Sequence, residues 1–145
     1  MSNRIKLSGT GEQLSADATD HAILQNTVTG LQETINAPSF DKRMTFAEAE
    51  AAIAKLNADA YLGHADWRLP TPNESHSGVE YKNADVLADL SLYPDMKSDW
   101  YWTNQVVPWS SGGVFCVSFA SGRVFGLGRG NEAFVRPVRS VSPSQ

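Results

Sequence analysis

The hydrophobic period of this chain changes once, near Pro94, and that change restricts its fold more than any other feature. Before Pro94, Phe46, Ala49, Ile53, Leu56 and Ala60 recur at helical spacing, with Glu48, Glu50, Lys55 and Asp59 on the opposite side. After Pro94 the period falls to two. Trp100-Tyr101-Trp102-Thr103 alternates, and Val114 to Phe119 alternates with its aromatic residues at odd positions. Helices first and an antiparallel meander after predict an α+β fold, two or three helices packed on antiparallel β-sheet, rather than alternating α/β.

Local signals refine this outline. Thr45 with Glu48 three residues on forms a capping box, so a helix starts there and ends by Gly63. Thr71, Pro72 and Glu74 form a second box, with proline at the first helical position. A third helix is predicted from Asn83 through Val86, Leu87 and Leu90. His21–Gln25 and Leu31–Ile35 are short strands about a turn at Thr29-Gly30. Ser121-Gly122 is a tight turn joining strands 114–119 and 123–127. Phe134–Arg139 is the last strand, and Pro137 places it at an edge or bulge. Residues 1–20 lack periodicity and form an extended arm, ordered only if docked. The domain proper is 21–139, and 140–145 is a flexible tail.

The chain has 145 residues, 41% hydrophobic and 19% charged, enough for one globular domain with a real core. A net charge of −4 without a basic face argues against nucleic acid. No apolar stretch long enough for a membrane span and no signal peptide are visible, so the protein is expected to be made in the cytoplasm. It would stay there or join a phage particle. Cys116 is the single cysteine, within an apolar run, and is expected to be a small buried hydrophobe.

Four segments in order carry a family resemblance. They are Thr29-Gly30-Leu31, Asp66-Trp67-Arg68-Leu69-Pro70-Thr71 with Glu74, Trp100-Tyr101-Trp102-Thr103, and Val135-Arg136-Pro137-Val138-Arg139. Together they resemble the Legionella collagen-like adhesin C-terminal domain family, over roughly residues 20 to 139, and most closely its prophage-type members. The resemblance implies a C-type-lectin-like fold and a binding role, whose described examples take sulfated polysaccharides. Ser75 departs from the Leu common after that Glu. The stalks and signal peptides of secreted members are absent from the sequence as given.

The residues themselves point away from catalysis. His21, His64 and His76 show no ligand spacing for zinc, and no calcium-lectin triplet occurs, so no metal and no cofactor are expected. There is no nucleophile elbow or phosphate loop, and a lone cysteine cannot supply the reactive pair of the fold's formylglycine-generating relatives. Gly126, Gly128 and Gly130 alternate at a hairpin end, without the strand and helix a dinucleotide site requires. Arg68 and Glu74 are expected to be a buried structural ion pair rather than a ligand clamp. Arg136 and Arg139, three apart and so on opposite faces, are expected to be structural, one of them pairing with Asp66, Glu74 or Asp99 rather than binding an anion.

The functional-looking stretch is Asn104–Gly113, a loop carrying Trp109. Trp109 is either an exposed binding anchor or a lid folded over the core. Since 114–119 and 123–127 form a hairpin, this loop should neighbour the Arg129-Gly130-Asn131-Glu132 loop. The expected ligand face is therefore Trp109, Asn104, Tyr101, Arg129, Asn131 and Glu132. The expected function is a non-enzymatic, phage- or prophage-encoded binding module for a host macromolecule. A carbohydrate-binding adhesin tip and a small intracellular inhibitor of a host protein are the alternatives. Expected partners are a host protein or a surface glycan, with no nucleic acid, no membrane and homo-oligomerisation left open.

Overall fold

The computed structural model describes residues 3–81 and 83–141. It is α+β, with two helices and two antiparallel sheets. The first sheet contains β1 (Arg4–Leu7), β2 (Ile23–Asn26), β3 (Leu31–Thr34) and β7 (Val138–Ser140), in that spatial order. The second is a meander of β4 (Trp100–Val106), β5 (Gly113–Ser118) and β6 (Val124–Gly128). Gly122 makes the β5–β6 turn with φ of 77°, the left-handed conformation that glycine adopts without a Cβ penalty.

Both capping boxes form. α1 (Phe46–Ala58) and α2 (Pro72–His76) each have the threonine hydroxyl accepting from the N3 amide, and the N3 glutamate accepting from the threonine amide. α1 buries Phe46, Ala49, Ile53 and Leu56, the stripe its period predicts. Phe46, Ala49 and Ile53 pack with Trp102, Val114, Cys116, Leu127 and Val135 in one cluster, and Leu56 packs with Leu7, Ile23 and Trp67 in another. Tyr101, Val117 and Phe119 point the other way, into a second cluster with Leu24, Ile35, Ala88, Tyr93 and Met96. β5 is thus covered on both faces, which is why its odd and even residues are alike in hydrophobicity.

The predicted third helix does not form: residues 84–88 are bends, and no residue from 83 to 90 is helical. Their backbone is drawn into long-range bonds instead. Leu87 N–H donates to Phe119 O, Glu80 N–H donates to Leu87 O, and the Asn83 amide closes on Ala88 O. The apolar spacing there serves Ala88, fully buried against the second cluster.

The arm is docked: β1 pairs along β2 from Arg4↔Asn26 to Leu7↔Ile23, so the sheet begins well before residue 21. At the other end Ser140 lies in β7 and Val141 N–H bonds Gly30 O, so the expected tail begins inside the sheet. Residues 142–145 lie outside the described residues. The segment 133–140 joins the two sheets. Phe134 exchanges bonds with Trp100 and Trp102, Val138 exchanges bonds with Arg68, and Pro137 precedes the end strand β7.

Candidate functional site

Three arginines are committed to structure. Arg68 and Glu74 form a two-pronged pair at 2.8 and 3.0 Å. It is not deeply buried, as the side chains keep 35% and 26% of their exposure. Arg139 pairs with Asp66 at 2.7 Å, as expected, and lies over the Trp67 ring. Arg136 pairs with Asp95, at 3.0 Å, an acid that the sequence did not single out. Its guanidinium also donates to Thr34 O and lies over the Tyr93 and Tyr101 rings. Burial works against its charge, but Asp95 prevails and holds its pKa above the usual value. Burial would raise the Asp95 pKa, and Arg136 more than offsets that. Close by, buried Glu33 accepts from Tyr93 Oη at 2.6 Å, and burial raises its pKa despite Arg136.

Tyr101 is excluded from the ligand face. It is 4% exposed, packs against Phe119 and Phe134, and its hydroxyl accepts from Lys97 N. Thr103 is buried too, donating to Phe115 O. The reason is the two-sided burial of the meander: the face opposite Trp100 and Trp102 is a second core rather than a surface.

Trp109, Arg129 and Asn131 gather at one end of the meander. Arg129 N–H donates to Gly112 O and Arg129 Nε to Ser111 O, which ties the 128–132 loop to the Trp109 loop. Trp109 is 79% exposed. Its ring meets Phe115 edge-on at 6.0 Å between centroids. The residue that folds back over the sheet is Val107, 4% exposed. A Cβ on Gly126 would come 2.8 Å from Val107 Cγ2, and one on Gly113 3.3 Å. The glycines admit Val107 and leave the indole outside. Arg129 covers the α1 side, its guanidinium 5.2 Å from the Phe46 ring centroid. Trp109 and Arg129 therefore flank the same sheet end from opposite faces.

Asn104 is exposed, with its amide N–H on Pro70 O. It borders an open groove of about 390 Å³ with Phe46, Glu50, Ile53, Trp67 and Arg68. Asn131 donates to Gly128 O across its own turn. Glu132 accepts Arg43 at its carbonyl and borders a separate cavity with Lys42, Arg43 and Glu48. Sequence reasoning did not find Phe46, Phe115, Ser111 or Val107 as supports of this end. Only the glycine alternation hinted at a close overlay.

Among the described residues, no group of three or more His, Cys, Asp or Glu converges to hold a metal. His21 bonds Leu92 O, His76 bonds Gly122 O and His64 meets the Trp67 edge. Burial pushes the Cys116 thiol up to about 12, which leaves it a protonated core residue at neutral pH. No helix is long and apolar enough to cross a membrane, among the described residues.

Residues 22–139 match the family model described as the Lcl C-terminal domain. No curated protein matches the chain.

Proposed function

Because the chain belongs to the Lcl C-terminal domain family, we propose that it is a non-enzymatic, adhesin-type binding module. It engages a host macromolecule with the end of the meander built from the Trp109 loop and the 128–132 loop. The observation that carries this reading is Trp109, a large apolar ring left 79% exposed on a loop that Arg129 braces through Ser111. Tryptophan with arginine is the usual composition of a binding hot spot. Arg129 adds a donor fork, and Asn104 and Asn131 add exposed amides on either side. This mixture suits a polar partner, a protein surface or a glycan. On this reading the C-type-lectin-like scaffold serves as a rigid holder of loops, and a phage particle or host cytoplasm is its working place.

The test is the double variant Trp109→Ala, Arg129→Ala. It is expected to keep the wild-type circular dichroism and melting transition while losing binding to host-cell extract and to arrayed glycans alike. Unchanged binding by a folded double variant would place the site elsewhere.

A further inference from the structure

β6 has a free edge. Both outer edges of the four-stranded sheet are covered, β1 by Leu14 N–H on Lys6 O with a bridge Leu7↔Gln13, and β7 by the two-way Arg68–Val138 bridge. The outer edge of β4 is covered by Phe134 and Pro70. Among the described residues β6 pairs only with β5, from Gly113↔Gly128 to Val117↔Val124. The bonds Ser118 N–H to Arg123 O and Arg129 N–H to Gly112 O fix the alternation of the ladder at its two ends. Residues 123, 125, 127 and 129 bond inward to β5. Val124, Gly126 and Gly128 turn their amides outward, and among the described residues the Val124 and Gly126 amides have no partner there.

Proteins usually blunt such an edge with a proline, an inward charge or a cover. β6 has none of these along Val124–Gly128. Exposed apolar residues surround it instead. Val124 is 43% exposed. Tyr81, 72% exposed, has its hydroxyl 2.7 Å from where a Gly122 Cβ would sit, and Trp109 stands beside Phe115 on the neighbouring strand.

Charge selects the occupant. Arg123 and Arg129 bracket the uncharged strand, and no carboxylate pairs with either among the described residues. They are six positions apart, an even number, so both project from the same face, roughly 20 Å from end to end. A second copy paired antiparallel along the whole strand would set Arg123 against Arg129 at both ends, which opposes it. A strand with an acid at each end meets two arginines.

We propose that β6 is an acceptor strand for β-augmentation by a partner protein: an extended segment, uncharged over about five residues and acidic at both ends, adds to its free edge. Arg129 belongs to both readings and Arg123 to this one alone, so Arg123→Glu separates the proposal from the loop-end reading.

The probe is a synthetic extended peptide with an aspartate at each end of a Thr/Val core, against the same core with lysine ends. Binding is read by fluorescence anisotropy with the full chain. The aspartate peptide is expected to bind about tenfold tighter than the lysine peptide. Val124→Pro removes an outward N–H without touching the bonds to β5, and is expected to abolish binding. Arg123→Glu is expected to weaken the aspartate peptide about tenfold and favour the lysine peptide, and this exposed swap decides the matter should Val124→Pro fail to fold. Equal binding of the two peptides, no binding of either, or full binding by folded Val124→Pro overturns the proposal. So does a wild-type dimer in sedimentation that Val124→Pro dissociates, since the edge would then belong to a second copy.

Discussion

Removing the Glu74 carboxylate tests how the second helix is anchored to the sheet. Glu74 Oε1 accepts from Arg68 Nη1 at 2.8 Å and from Thr71 N at 2.9 Å, and Oε2 accepts from Arg68 Nη2 at 3.0 Å. Glu74→Ala breaks half of the capping box, because the Thr71 hydroxyl still accepts from residue 74 N. That half is worth about 0.5–1 kcal/mol. Arg68 is not stranded: it keeps Ser140 Oγ at 2.7 Å and about a third of its exposure. The lost pair is therefore worth about 1 kcal/mol after solvent screening, not the roughly 3–5 kcal/mol of a deeply buried charge. The sum, about 2 kcal/mol, corresponds to a melting-point drop of about 4–8 °C for a domain of this size. Urea titration at neutral pH measures it. The pair with Arg68 lowers the Glu74 pKa from its ordinary 4.5 against the opposing effect of burial. A depressed folded pKa gives stability that is present above 4.5 and is lost as pH falls through the lowered value. The gap between wild type and variant should therefore narrow below pH 4.5. A loss above about 4 kcal/mol, or a gap that widens in acid, would refute the reasoning.

Arg136→Ala should be the most damaging arginine change, destabilising by about 3–5 kcal/mol, since it leaves Asp95 unpaired and empties the space between the Tyr93 and Tyr101 rings. A midpoint within about 1 kcal/mol of wild type would show that pair to be dispensable. Gly126→Ala should cost about 1–3 kcal/mol by driving Val107 off the sheet. Hydrogen exchange should then speed up across 107–113 and not in α1, and an unchanged exchange pattern would count against Val107 as the clasp of that loop.

What could be read from the sequence was set locally. Each capping box is complete within four residues, and the α1 stripe repeats within one element, so both helices were legible. The Asn83–Leu90 segment misled because its apolar spacing answers to Phe119 and the second core, far along the chain. Asp95 was missed as the mate of Arg136 for a related reason: it sits in irregular chain, where no period places it. Arg139 and Asp66 belong to flanking extended segments that the Arg68–Val138 bridge brings together, and their pairing was anticipated. Tyr101 was misplaced because alternation shows that two faces differ, not that one of them meets water. Trp109 stayed undecided for want of a partner in the sequence. The answer lay in Val107, which fills the space above Gly113 and Gly126 and leaves the indole nowhere to fold.

The arginines divide by location in a way that bears on binding. Arg68, Arg136 and Arg139 meet acids where the first sheet, its covering segments and the joining strand come together. Their charge is cancelled and their role is to fix chain paths. Arg123 and Arg129 lie at the two ends of β6, exposed and without a carboxylate among the described residues. In a chain of net charge −4, long-range attraction for an acidic partner is absent. Any preference for acid must then arise at contact, within the roughly 8–10 Å over which physiological salt leaves charges visible to each other. Such a site discriminates by placement of charge rather than by its total. A segment with acids spaced to reach both arginines is drawn to the edge, while one equally acidic but differently spaced reaches at most one of them.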